Sequence, residues 1–411
     1  MNYKPIIIIV LVVTELYSLL ISLLTLRSEK NPIPENVADV YDRETYAKWR
    51  SYHAEKTAFG VISSTASFIV SLLLLLFNVY AAWARLFPDD IYSQTFSVIL
   101  LASLTSIVDI PFAWHDTMGI EQKYGFNRST AKTFWADQIK SFLITLFIMC
   151  GVAALLLRLH RSFGDWLIPA FAVIMTLIML LISFLYPFFS KIFNKFTPLE
   201  DGELRDKLTA LLEKNNYKVR AINVMDASRR TTKSNAYFTG FGKMKTIVLY
   251  DNLISSQSPD EICAVFAHEL GHGLHKDTLK SRILTFLQMA LIAVFAWFTL
   301  RTVGIFTDFG FDGLNYGFAL LLIMSIEFPF VSPLIGLLAN YVSRKAEYAA
   351  DAHAFKEGYA DQLITALKVL SKENYSNLAP SPLVVKLEYS HPTLSQRIDA
   401  IEKLKAERNP V

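Results

Sequence analysis

Cysteine is almost missing from this 411-residue chain. There are two, Cys150 in an apolar run and Cys263 in a helical one, which excludes a disulfide scaffold and a cysteine-based zinc site. Charge is scarce too: Asp, Glu, Lys and Arg make up 19% of the residues, against about 25% in ordinary soluble domains. What charge there is nearly cancels. Forty basic residues face 37 acidic ones for a net charge of +3, too small and too dispersed to attract a nucleic acid. No internal repeat, low-complexity tract or long linker is present, which excludes a fibrous array, and a 53% hydrophobic content excludes disorder. The apolar residues come in long runs separated by stretches of normal polarity, and that excludes a purely soluble enzyme.

A membrane-spanning helix needs about 20 mostly apolar residues. Seven stretches qualify, roughly 6–26, 60–83, 93–114, 141–157, 166–189, 284–306 and 314–341. The first is too long for a cleaved signal peptide and has no small-residue cleavage site before Arg27. It carries Glu15, and the seventh carries Glu327. Ionisable groups at membrane depth face protein or water, so a partner inside the bundle is expected for each.

The short loops set the orientation. Between spans one and two lie Arg27, Lys30, Arg43, Lys48, Arg50 and Lys56, and between spans three and four lie Lys123, Arg128, Lys132 and Lys140. Those ten face five on the other side: Lys4, Arg85, Arg158, Arg161 and Arg301. The N-terminus is therefore expected outside, with the C-terminus and the polar segment 190–284 in the cytoplasm. In that segment 202–216 reads as an amphipathic helix through Leu204, Leu208, Leu211 and Leu212, and the β-branched runs 219–225 and 246–250 read as strands. The tail after Val342 reads as helical, with Ala346, Ala349, Ala350 and Ala354 along one side. The chain divides into an N-terminal membrane region, 1–189, and a region 190–411 that includes spans six and seven.

Ser258-Pro259-Asp260-Glu261 opens a helix with a capping serine, a first-turn proline, acids at the positive end of the dipole and the Glu261 of a capping box. The helix continues as Ala267-His268-Glu269-Leu270-Gly271-His272. His268 and His272, one turn apart, project from one face and can bind one cation. Glu269, about 100° round the helix, can reach a water beside that cation and act as general base. A random chain of this length would contain His-Glu-x-x-His in about one case in a hundred.

Zinc needs a third protein ligand and an open fourth position. His275 is poorly placed to share the ion, and the extended pattern that ends in a third histidine fails, because position 278 is Thr. Glu347 and Asp351 are an i, i+4 acidic pair on an alanine-rich helix. One can ligate while the other accepts the ring N–H of a ligand histidine. Among the remaining histidines, His53, His115 and His160 fall in loops or at span ends, and His353 points elsewhere on its helix. His391, in a Ser-His-Pro turn, could donate to a developing oxyanion.

With these residues in place the chain resembles the type I CAAX prenyl proteases, the Ste24-type seven-span zinc metalloproteases. The resemblance covers nearly the whole length. It includes 32–59 with Tyr46, Tyr52 and Lys56, then 121–127 and 137–140, then 193–199, the strand pair 234–240 and 247–251, the 268–272 motif, the Glu347 and Asp351 segment, and 389–392. It implies a mainly α membrane protein, seven helices around a water-filled chamber, with a small cytoplasmic α/β gluzincin domain. One Zn2+ would be held by His268, His272 and Glu347, with Glu269 as base, Asp351 supporting the ligands and His391 stabilising the tetrahedral intermediate. Asn235 would lie on an edge strand that pairs with substrate backbone. Arg397 would meet either a substrate carboxylate or an acid of the protein. The expected partners are a peptide or protein substrate, prenylated or not, and the bilayer, with no nucleic acid and a monomeric chain.

Two features depart from the family's pattern: the tail carries no endoplasmic reticulum retrieval signal, and the loop 307–313 is short. Both fit a compact bacterial member in the inner membrane. Three functions therefore compete: a protease removing the last three residues of a C-a-a-X tail, a quality-control protease acting on unprenylated chains, and a non-catalytic membrane chamber.

Overall fold

The computed structural model describes residues 2–163, 166–239 and 246–408; Gly240 and the last three residues of the tail, singled out above, fall outside them. Among the described residues six helices are long and apolar enough to cross a membrane: Lys4–Lys30, Arg43–Leu76, Ile91–Glu121, Ala131–Phe163, Leu279–Arg301 and Tyr316–Lys356. The fifth expected span, 166–189, falls on the helix Leu167–Phe193. Large apolar side chains such as Leu16, Phe147, Val294 and Leu334 point outward from these helices. Such a surface suits hydrocarbon and not water.

Both intramembrane acids have a hydroxyl partner. Ser64 Oγ donates to Glu15 at 3.4 Å, and Thr299 Oγ1 donates to Glu327.

The polar segment folds on a four-stranded sheet: β1 (Phe196–Pro198), β2 (Ala221–Met225), β3 (Ala236–Thr239) and β4 (Thr246–Tyr250), in the order β1-β2-β4-β3. β2 and β4 are parallel, and the two outer pairs are antiparallel. The expected helix 202–216 is Glu203–Lys214. The expected strands are β2 and β4. The three-residue edge strand β1 gave no sequence signal, since a strand that short with a proline in it has no period to read. β4 is buried on both faces: Ile247 and Leu249 pack with Leu208, Leu212, Ile262 and Phe266, and Val248 packs with Met225 and Ala227. Its unbroken apolar run is what a doubly covered central strand requires.

Above this sheet lies the helix Pro259–Leu274, capped as its sequence prescribes: Ser258 Oγ accepts from the Glu261 N–H, and Glu261 accepts from the Ser258 N–H. Against it packs the C-terminal end of the last span, because the helix Phe328–Lys356 continues past the apolar stretch without a break. Gly271 makes the close approach possible. A Cβ there would lie 2.9 Å from Ala350 Cα and 3.0 Å from His353 Cβ. Ala346, Ala350 and Ala354 line the other side of the contact.

The two loops rich in basic residues, 27–56 and 123–140, meet this sheet-bearing part. Trp49 Nε1 donates to Tyr375 O at 2.9 Å, Tyr41 OH lies 2.9 Å from the carbonyls of Ser371 and Ser376, and Arg128 N donates to Arg230 O at 3.0 Å. Lys233 Nζ donates to Tyr52 OH at 3.2 Å, and Tyr52 OH in turn donates to Glu121 at 2.7 Å.

Candidate metal centre and active site

The two packed helices bring together what the sequence separates by about eighty positions. His268, His272 and Glu347 each offer one ligand atom, all within 4.8 Å of one another. The two Nε2 atoms are 3.2 Å apart, His272 Nε2 is 3.2 Å from Glu347 Oε1, and His268 Nε2 is 3.5 Å from Glu347 Oε2. Glu347 Oε2 is buried without a hydrogen-bond partner. Two imidazoles and a carboxylate converging on one point, with an orphaned buried oxygen among them, fit a divalent cation of the zinc type.

Each histidine is turned by an acid behind it. His268 Nδ1 lies 2.8 Å from Asp351 Oδ1. Asp351 is itself held by Arg397, whose Nη2 donates to Oδ1 at 2.6 Å and Nε to Oδ2 at 2.9 Å. Burial alone would raise the Asp351 carboxyl, but the Arg397 charge and the His268 hydrogen bond bring it down to about 2. Arg397 Nη2 also comes within 3.1 Å of His268 Nδ1. The carboxylate is its acceptor, because Nδ1 must keep its proton if Nε2 is to face a cation.

His272 has its own acid. Its Nδ1 lies 3.1 Å from Asp277 Oδ2. Burial lowers the basicity of His272, yet the Glu347 hydrogen bond and charge, with Asp277 behind, push its pKa up to about 9. Sequence reasoning missed Asp277. The available signal was an acid five residues after His272, just past the end of the motif helix, where the chain turns back through Lys276 in the left-handed region.

The other expected residues gather round. Glu269 is half-buried and lines a narrow cleft with Ala236 and Tyr237 of β3. Asn235 is exposed immediately before β3, its carbonyl accepting from Tyr250 N at 3.1 Å. β3 is the sheet edge on the motif-helix side. His391 places Nε2 3.3 Å from Glu347 Oε1, and its Nδ1 is 2.8 Å from Ser390 Oγ. Of the two partners considered for Arg397, acids of the protein surround it: besides Asp351, Glu347 Oε2 lies 3.4 Å from Nη1. His275 is exposed at the helix end, and His353 packs over Gly271. His53 meets Glu29, His115 stacks on Phe59 and His160 meets the Tyr316 hydroxyl.

The arrangement can therefore hold a cation, keep a carboxylate beside it and present an edge strand to an extended chain. That is the equipment of a peptidase. Residues 22–195 match the family model described as CAAX prenyl protease N-terminal, five membrane helices, and residues 198–405 match peptidase family M48. The chain is 33% identical over 392 residues to a CAAX prenyl protease 1 homolog of Arabidopsis thaliana, covering 90% of each. It is 31% identical over 404 residues to CAAX prenyl protease 1 of Saccharomyces cerevisiae, covering 90% of this chain and 88% of that one. The crystal structure of S. mikatae Ste24p superposes with a TM-score of 0.90 at 29% identity, covering 98% of this chain and 99% of that one. The helices and small sheet domain described above are thus those of a membrane protease with a helical chamber. The chain belongs to peptidase family M48, among the CAAX prenyl proteases: it is an integral, multi-pass membrane metalloendopeptidase.

Proposed function

We propose that the protein is a zinc endopeptidase that removes the last three residues of prenylated C-a-a-X chains, holding one Zn2+ through His268, His272 and Glu347. The observation that carries this reading is the convergence of those three donors beside Glu269 and the outer strand β3. The relatives' names supply the substrate class. Bound there, zinc would supply Lewis acidity to the scissile carbonyl and lower the pKa of a neighbouring water toward neutrality.

The chain's own residues do the rest. An extended substrate adds to β3 as a further strand, its backbone meeting the outer side of that strand beside Asn235. This register carries the scissile peptide past Glu269, which takes the proton of the attacking water and returns it to the leaving amine. His391 donates from Nε2 to the oxyanion, with Ser390 Oγ donating to Nδ1 and so fixing the tautomer. Asp351 and Asp277 keep Nδ1–H on the two ligand histidines, and Arg397 keeps Asp351 ionised.

The N-terminus lies outside and the catalytic part, 190–411 with spans six and seven, is cytoplasmic; the docking of both basic loops onto that part supports this orientation. For the host membrane, the short 307–313 loop supports the bacterial inner membrane, while the named relatives are eukaryotic. Fractionation of cells expressing the native gene decides between inner membrane and endoplasmic reticulum. We take the chain to act as a monomer.

The test is cleavage, by detergent-purified protein, of one C-a-a-X peptide in farnesylated and unmodified forms, with Glu269→Gln as blank. Glu269→Gln should retain zinc while kcat falls by ~10²–10⁴-fold. Cleavage confined to the farnesylated peptide is the expected outcome. Equal cleavage of both would replace the prenyl-specific reading with general quality control.

A further inference from the structure

His391 differs from the other site residues in how it is held. Its ring is 63% exposed, so packing does not fix it. Apart from the single contact of Nε2 with Glu347 Oε1 at 3.3 Å, its neighbours in the chain must aim it. On the far side, Pro392 is buried and restricts the His391 backbone to extended conformations. On the near side runs the short helix Pro382–Glu388, which ends at Tyr389 with extended backbone.

Beyond Val385, whose carbonyl accepts from Tyr389 N at 3.3 Å, the last carbonyls of that helix have no helical partners of their own. They are taken by two side chains of the Phe328–Lys356 helix. Arg344 Nη1 donates to Tyr389 O at 2.6 Å and Val385 O at 3.1 Å, and its Nη2 donates to Lys386 O at 3.4 Å. Asn340 Nδ2 donates to Leu387 O at 2.8 Å. The guanidinium also complements the negative end of the helix dipole.

Asn340, Arg344, Glu347 and Asp351 are spaced four, three and four apart, which places them along one stripe of a single helix. The stripe that supplies Glu347 to the cation therefore also grips the backbone two residues before His391. We propose that Arg344, with Asn340 beside it, is the positioning residue that sets the distance from His391 to the scissile centre. This rests on the reading of His391 as oxyanion donor.

Peptide cleavage, bound zinc and thermal melting are measured for Arg344→Met, which keeps the apolar stem and loses every donor, and for Arg344→Lys, which restores a single one. Both are made alone and on His391→Ala. Misplacing a catalytic group by about 1 Å costs on the order of 10²-fold. Arg344→Met should therefore lower kcat at least tenfold with zinc content unchanged and KM within about twofold, and Arg344→Lys should recover part of the loss. On His391→Ala, Arg344→Met should cost less than about twofold more. Equal losses in both backgrounds, or a kcat loss that tracks lost zinc, would overturn the proposal and leave the role of His391 standing. A normal kcat in Arg344→Met would do the same. A normal kcat in His391→Ala would remove the reading on which it rests. If Arg344→Met does not fold, the Arg344→Lys loss and its disappearance on His391→Ala decide alone.

Discussion

The site has two tiers built on opposite principles. In the lower tier, His268, Glu347, Asp351 and Arg397 are all buried. Every polar contact there is enclosed, and each group is fixed by two or three others. In the upper tier His391 stands at the surface, 63% exposed, and reaches Glu347 only across 3.3 Å. A cation site gains from burial, because charge–charge and charge–dipole terms strengthen as water is excluded. A group that must meet a substrate needs access, so it cannot be enclosed and is aimed through the backbone instead. On the proposed function, the lower tier governs whether the metal stays and the upper one governs turnover once it is there.

Within these two tiers, the largest expected effect breaks the upper one alone. His391→Ala should lower kcat by ~10²–10³-fold, the usual loss for an oxyanion donor, with zinc content and melting temperature unchanged. A normal kcat would return His391 to a structural role. Loss of zinc would merge the two tiers and remove the distinction drawn above.

Next comes the lower tier. Asp351→Asn leaves the His268 ring without its anionic partner and Arg397 with Glu347 as its remaining acid. Removing such a partner costs ~10–100-fold in metal affinity, and breaking a buried ion pair destabilises the fold by about 3–5 kcal/mol. The two effects should appear together in a chelator titration and a melting curve, while kcat at saturating zinc recovers to near the wild-type value. A kcat that stays low at saturating zinc would mean that Asp351 acts on the reaction and not through the histidine.

These tiers were not equally legible in the sequence. The motif helix announced itself through local chemistry: a capping box, a proline at the first turn and two histidines one turn apart need nothing from the rest of the fold. Glu347 and Asp351 gave only an acidic pair at helical spacing, and choosing between them needed the family resemblance, because the geometry that distinguishes them is the crossing of two helices eighty residues apart. Asp277 stayed hidden although it lies near in sequence. Its usefulness depends on the turn at Lys276 folding it back under His272, and no periodicity reports a reversal of that kind. Arg397 was visible only as two alternatives. The spans were the easiest elements to read because hydropathy is a property of composition. β1 shows the opposite limit: three residues become a strand through their pairing with β2 and not through their own pattern.

The smallest effect tests where the lower tier ends. Asp277 does for His272 what Asp351 does for His268, but from a half-buried position and with an exposed lysine, Lys280, as its other partner at 2.7 Å. Water can replace much of what it offers, and no buried charge is stranded when it goes. Asp277→Ala should therefore weaken zinc about tenfold, at the low end of the range for a residue that orients a ligand. The melting temperature of the zinc-loaded protein should shift little, since an ion pair with an exposed partner such as Lys280 contributes ~0–1 kcal/mol. Measured beside Asp351→Asn in the same chelator titration, it asks whether burial or mere adjacency gives an orienting acid its strength. A loss as large as that of Asp351→Asn would show that the hydrogen bond to Nδ1 carries the effect and that enclosure adds nothing. The smaller loss is expected because the two acids make the same contact with their histidines, and the Asp351 one is made where water does not compete.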